Sequence, residues 1–261
     1  MTTILANRIN LYYEEHGDGQ PLVFIHGLGS STRDWEAQVS EFSKFYRVIT
    51  FDLRGHGQSD KPVGPYSIPM MATDLAGLLN ALHISSVHLV GISLGGAVAF
   101  QFALDHPAMV KTLTIVNSGP SLGGTPEQAK QEIERRVGIV QQVGMRAMGA
   151  ALSPALFPKP EHAILRETFI ARWAENDPLA YIEATRSMLG WNVTDQLGTI
   201  ACPTLILTAD QDYSPVAAKE AYVKRMPHAQ LLVISDSHHA TPIEQPEKFN
   251  AALTGFLAEH R

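Results

Sequence analysis

Residues 86–102 read Ser86-Val87-His88-Leu89-Val90-Gly91-Ile92-Ser93-Leu94-Gly95-Gly96-Ala97-Val98-Ala99-Phe100-Gln101-Phe102. Val87 to Val90 is a short apolar strand, Gly91 to Gly95 a turn, and a helix begins near Gly96. Glycine stands two residues from the serine on either side. A serine so placed between strand and helix is held on a strained corner with its hydroxyl exposed, the arrangement called a nucleophile elbow. The glycines are needed because a side chain at either place collides with the strand or the helix. Five letters alone recur by chance. The apolar run before them and the helix after them give the match its weight.

The same rhythm extends in both directions. Residues 4–15 suit an N-terminal hairpin at a sheet edge, and Leu22 to Ile25 is an apolar run short enough for a strand buried on both faces. Residues 34–45 read as a helix with Asp34 as its N-cap. Arg47 to Phe51 is a strand and 69–82 an amphipathic helix. The helix after the elbow stops at Pro107, and Val110 to Val116 is the next strand. Alternation of this kind implies a mostly parallel sheet flanked by helices, an α/β fold. From residue 121 to 198 no strand is expected. Helices are predicted at about 126–143, 161–174 and 178–189, with Pro154, Pro158 and Pro160 separating the first from the second. The α/β rhythm resumes with strands at Thr204–Thr208 and Gln230–Ile234 and helices at 215–225 and 245–259. The division expected is a core of 1–120 and 199–261 carrying an inserted helical lid, 121–198.

Composition narrows the function. Of 261 residues, 45% are hydrophobic and 18% charged, with a formal net charge of -6. An acidic balance without a basic run argues against nucleic-acid binding. No apolar run approaches the ~18 residues needed to span a bilayer, and the N-terminus shows no signal-peptide pattern. A cytoplasmic protein is expected. The one cysteine, Cys202, has no partner for an internal disulfide and reads as a small buried hydrophobe.

A serine hydroxyl is a poor nucleophile at neutral pH and needs a base, an orienting acid and an oxyanion hole. His239 follows the last predicted strand, with His238 as its neighbour and rival. Asp212 follows the preceding strand, with Asp210 as rival. The chain order Ser93, Asp212, His239 is the one expected when the serine sits on such an elbow. The backbone N–H of Leu94, directly after the serine, is one oxyanion donor. The other is expected from the loop His26-Gly27-Leu28-Gly29, at Leu28. Asp52, Arg54, His56 and Asp60 lie in a glycine-rich loop and read as structural, and His26 as an organiser of the oxyanion loop. Trp35, Met145, Met148, Met188 and Trp191 are candidates for lining a pocket. No zinc-binding His-Glu-x-x-His, phosphate-binding Gly-Lys-Ser/Thr or complete dinucleotide fingerprint occurs, so no metal or cofactor is expected.

These residues together resemble the α/β-hydrolase-fold serine hydrolases over about residues 8–259. The resemblance rests on His26-Gly27-Leu28-Gly29, on Asp52-x-Arg54-Gly55-x-Gly57-x-Ser59, on Gly91-x-Ser93-x-Gly95-Gly96, on Asp212, and on His239 followed by Glu244-Gln245-Pro246-Glu247-x-Phe249. It favours His239 over His238 and Asp212 over Asp210. It implies hydrolysis of small esters through an acyl-enzyme, with carboxylesterases and enol-lactone hydrolases as the nearest forms. C–C hydrolysis, acyl transfer, cofactor-free haloperoxidation and a slow-turnover ligand receptor use the same arrangement. Two positions depart from the family pattern: Ile92, where histidine is frequent, and His238, where glycine is frequent. Small-molecule substrates are expected as partners, and an apolar lid leaves a homo-oligomer open.

Overall fold

The computed structural model describes residues 2–260. A hairpin opens the chain: β1 (Thr3–Ala6) pairs antiparallel with β2 (Ile9–His16). Asn7 and Arg8 turn it with φ of 48° and 65°, the left-handed pair that matches the twist of a two-residue hairpin loop. Six more strands follow: β3 (Gln20–Ile25), β4 (Tyr46–Phe51), β5 (Val87–Ile92), β6 (Val110–Val116), β7 (Thr204–Ala209) and β8 (Ala229–Ile234). They form one eight-stranded sheet in the order β1-β2-β4-β3-β5-β6-β7-β8. β2 meets β4 antiparallel, and every later pairing is parallel. The chain after β3 crosses to β4 on one side, while β5 lies on the other. That reversal of direction is where open α/β sheets leave a crevice at the strands' carboxyl ends. Ile25 is in register with Gly91, so the loop after β3 and the turn after β5 leave the sheet at the same level.

Alternation along β3 divides the core. Val23 and Ile25 pack on one face with Leu75, Leu79, Val98 and Phe102, and Leu22 and Phe24 pack on the other with Trp35, Phe42, Phe249 and Phe256. The first face is covered by α2 (Ile68–Ala81) and α3 (Leu94–Asp105), the second by α1 (Glu36–Phe42) and the C-terminal α9 (Pro246–Ala258). Successive side chains of a strand point to opposite faces, which is why a continuous apolar run was needed there. Half-buried Cys202 packs against the first face.

Local starts differ from expectation at two helices. Asp34 is not an N-cap: it lies inside a 3-10 turn, Thr32–Trp35, and its carboxylate accepts from Ser30 Oγ, so α1 begins only at Glu36. The helix after the elbow begins at Leu94 rather than near Gly96, leaving Ser93 itself at the N-cap position.

Between β6 and β7 the chain is helical. α4 (Pro126–Leu156) starts with a capping box between Thr125 and Gln128 and is broken at Gly144, whose φ of 80° and ψ of 179° are not helical. Of the three prolines expected to separate it from the next helix, Pro158 and Pro160 lie in the break after Leu156, but Pro154 does not. Pro154 lies inside the helix near its end, and the Ala150 carbonyl, which proline has no N–H to meet, accepts from Ser153 Oγ at 3.3 Å. α5 (Ala163–Ala174) and α6 (Pro178–Arg186) follow, the latter capped by Asp177 and ending three residues before the predicted 189. The segment's two ends meet. Ser121 forms a one-pair antiparallel bridge with Asn192, and Val193 N–H donates to Pro120 O at 2.8 Å. The remaining helices are α7 (Val216–Val223) and the short α8 (Thr241–Glu244). No helix of the described residues is long and apolar enough to cross a membrane.

Candidate active site

Ser93 sits at φ 54° and ψ -118°, a combination that only a surrounding structure can impose on a side-chain-bearing residue. Its N–H donates to Val116 O at 3.0 Å, and its carbonyl accepts from Ser118 Oγ at 2.7 Å. A Cβ at Gly91 would run into the Gly95 carbonyl, and one at Gly95 into the Ile25 carbonyl. The corner is therefore wedged between β5, α3 and the end of β3, and glycine at both places lets it form.

The loop after β3 lies directly against this corner: a Cβ at Gly27 would stand 3.4 Å from Ser93 Cβ. His26 holds the loop. Its Nε2 is 3.0 Å from the Leu53 N–H, which can only donate, so Nδ1 carries the proton and donates to Gly27 O at 2.7 Å. Burial lowers the His26 pKa to about 4, so the ring is neutral and keeps this tautomer. Leu28 and Leu94, the two expected oxyanion donors, both border the cavity that Ser93 faces.

His239 Nδ1 lies 2.6 Å from Asp212 Oδ1. Burial by itself would raise the Asp212 carboxyl. The His239 hydrogen bond and charge, joined by Lys219, outweigh it and hold the pKa down to about 2. Tyr213 stacks on the His239 ring with centroids 4.2 Å apart. Asn117 ties down the loop that carries the histidine. Its Nδ2 donates to His239 O at 2.9 Å and to Thr241 Oγ1 at 2.8 Å, while its Oδ1 accepts from Ala209 N–H at 2.8 Å.

The rivals are committed elsewhere. Glu244 holds His238, with Oε1 2.6 Å from Nδ1 and Oε2 accepting from the backbone N–H at 2.6 Å. Asp210 accepts from the N–H groups of Asp236 and Ser237 and so shapes the turn after β8. The glycine-rich loop is likewise self-contained. Asp52 accepts from Thr32 and Gln58 N–H, Arg54 pairs with Asp74 at 2.5 Å in the interior, and His56 Nδ1 lies 3.0 Å from Arg54 O.

Three residues of this constellation carry no sequence signal. Lys219 reads as one charge on an amphipathic helix, Tyr213 as an ordinary turn residue, and Asn117 as the mere absence of a carboxylate.

Ser93, Asp212 and His239 border one cavity of about 1070 Å³ between the sheet and the inserted helices. Met188 and Trp191 line it; Met145 and Met148 do not, being buried in the packing of the insertion. Trp35 borders it but is 1% exposed and serves the core. Its lining includes an apolar group, Leu152, Leu156, Phe169 and Trp173, and a polar one from the first half of α4, Gln128, Glu132, Arg135 and Arg136.

Comparison with known proteins bears on the fold and the family. The 3-oxoadipate enol-lactonase 2 of Acinetobacter baylyi is 30% identical over 265 residues, covering 98% of this chain and 96% of that protein. A thermophilic esterase from Thermogutta terrifontis superposes with a TM-score of 0.91 at 31% identity, over 100% of this chain and 99% of its own. A solved N-acyl homoserine lactone degrading enzyme gives a TM-score of 0.86 at 32% identity, over 98% and 100% of the two chains. The pattern of the alpha/beta hydrolase family matches residues 22–252, and the chain belongs to that family.

Proposed function

We propose that the protein is a serine hydrolase acting on small carboxylic esters, with Ser93 as nucleophile. The observation that carries this is the 2.6 Å pairing of His239 Nδ1 with Asp212 Oδ1 on the cavity that Ser93 borders. With Nδ1 donating to the carboxylate, the other ring nitrogen is left to take the Ser93 proton as the oxygen attacks the carbonyl. Asp212 stabilises the resulting imidazolium. The tetrahedral oxyanion is held by the Leu28 and Leu94 N–H groups, which bring no counter-charge and need no rearrangement. His239 returns the proton to the leaving alcohol, and the acyl-enzyme is cleared by water along the same path. The inserted helices act as a lid that closes the cavity over the acyl group, and the enzyme works in the cytoplasm without a cofactor.

Lactones are the second substrate class of the same site, favoured by the 30% identity to an enol-lactonase along almost the whole chain. A lactone is an ester whose leaving group stays attached, so the chemistry is unchanged. Purified protein is to be assayed on 4-nitrophenyl butyrate and a five-membered lactone, and labelled with a fluorophosphonate. Turnover, with the label on Ser93 and both lost in Ser93→Ala, is the expected result. Turnover surviving in Ser93→Ala, or a label elsewhere, overturns the reading.

A further inference from the structure

One wall of the cavity carries an unbalanced charge. Glu132, Arg135 and Arg136 lie at positions i, i+3 and i+4 of α4, on one helix face, and all three line the cavity. Glu132 serves both arginines. Arg135 grips it with two bonds, Nε to Oε2 at 2.8 Å and Nη2 to Oε1 at 2.9 Å. Arg136 spends only Nε on it, at 2.6 Å to Oε1. Among the described residues, neither terminal nitrogen of Arg136 meets a carboxylate or a carbonyl; the polar group beside them is the buried Tyr181 hydroxyl, and the side chain is only 20% exposed.

The other charges on the cavity wall are matched. Asp212 is paired with Lys219, Arg225 with Asp195, and Asp34 lies against Arg172. The Glu132 group alone keeps one surplus positive charge, located on a half-used guanidinium. It lines the same cavity as Ser93, Asp212 and His239. Burial raises the phenol of Tyr213, the ring stacked on His239, and the charge of Arg136 draws it back down.

We propose that Arg136 is a substrate-recognition residue that takes a carboxylate carried by the ester or lactone, away from the bond that is cut. This rests on the hydrolase reading and adds the substrate class to it. A planar guanidinium whose terminal nitrogens hold no carboxylate of the protein matches that of a ligand in a fork of parallel hydrogen bonds. One surplus charge balances one carboxylate, whereas a phosphate monoester would bring about -1.5 to -2 and leave the wall overcharged the other way. The apolar lining, with Leu152 and Phe169, then receives the uncharged part of the molecule.

The test compares mono-4-nitrophenyl esters of glutaric and adipic acid with the uncharged 4-nitrophenyl pentanoate and hexanoate. The readout is the ratio of kcat/KM, anionic over neutral. Arg136→Gln is expected to lower that ratio tenfold or more, mainly through KM for the anionic ester. Glu132→Gln, which removes the competing carboxylate, is expected to raise it. Lys130→Gln removes a positive charge from an exposed position of the same helix and is expected to leave the ratio where it was. A ratio that is unchanged in both Arg136→Gln and Glu132→Gln, or that falls as far in Lys130→Gln, overturns the proposal. Binding of glutarate to Ser93→Ala, followed calorimetrically with and without Arg136→Gln, reads recognition without hydrolysis. Lost hydrolysis with glutarate binding that depends on Arg136 would sink the enzyme reading alone. Hydrolysis with no such binding and no ratio change would sink the carboxylate alone.

Discussion

Lys219 Nζ stands 2.5 Å from Asp212 Oδ2, and each of the two side chains is 1% exposed. The carboxylate is thus divided between two donors, with the His239 ring on one oxygen and a lysine from α7 on the other. Lys219 is fixed in turn by Ser214, whose carbonyl accepts from it at 2.7 Å. Replacing it by methionine leaves a buried carboxylate with only His239 and the Ser214 hydroxyl, the latter at 3.2 Å, at a cost of about 3–5 kcal/mol. Removing the positive charge also lets the Asp212–His239 pair keep its proton to higher pH. The acid limb of kcat/KM in Lys219→Met is therefore expected to move upward. Denaturant titration reads the first effect and a pH–rate profile the second; an unmoved acid limb would show that Lys219 only holds the turn.

Stability should fall in two steps as pH is lowered. Burial holds His26 and His88 down to about 4 and His56 to about 3, so the fold keeps these rings neutral while the unfolded chain protonates near 6.5. Their contribution is complete above 6.5 and is lost as pH drops toward 4, on the order of 3 kcal/mol for a ring such as His26. Asp212 acts lower. Its folded pKa of about 2 against the ordinary 3.8 contributes about 2 kcal/mol above 3.8, which disappears as pH falls through 2. Urea midpoints from pH 7.5 to 4.5 should decline, and His88→Gln should flatten that decline. A midpoint constant over this range contradicts the assignment of neutral buried rings.

Asn117→Ala is expected to lower kcat by about 100-fold with a smaller change in KM. The loop that presents His239 loses the three bonds that Asn117 Nδ2 makes to it, at 3.2, 2.9 and 2.8 Å, and a misplaced general base costs rate more than binding. Asn117→Asp should be no better, because a carboxylate can accept from Ala209 N–H but cannot donate to the His239 carbonyl. Recovery of rate in the aspartate variant would assign the role to the Ala209 bond instead.

Ser93→Gly should abolish turnover and raise the melting temperature. Glycine relieves the φ of 54° at about 1 kcal/mol, which for a chain of this size corresponds to roughly 2–4 °C. Differential scanning calorimetry of the two proteins checks it. A lower melting temperature in the glycine variant means that the corner is not strained.

The sheet was legible because its information is local and repeated. Leu22 to Ile25 and Val87 to Val90 each announce a doubly buried strand, and glycine around Ser93 marks a corner that few other sequences fit. Asp212 and His239 were legible because each follows a predicted strand. The failures have two causes, one local and one distant. Asp34 has the composition of an N-cap, yet Ser30 and Arg172 claim its carboxylate, and Arg172 is far away in sequence. Gly144, not Pro154, breaks α4, since a proline near a helix end is tolerated while the backbone at Gly144 adopts an angle few other residues accept. Lys219 became visible only once α7 had turned it under the loop of Asp212. What depends on pairing between distant segments could not be read from spacing.

Ser121 and Asn192, joined by a single bridge, make the start and the finish of the inserted helices neighbours. Topologically the segment is a loop tied at its neck, hung from the sheet at one point between β6 and β7. Its length and helix content can then change without asking any strand to shift. Ser93, Asp212 and His239 stay where the sheet puts them. A graft made across that neck would exchange the Glu132–Arg136 wall for another while keeping the corner that carries the serine, and among the contacts it would have to restore is the bond from Asn176 Nδ2 to the Gly29 carbonyl in the loop after β3.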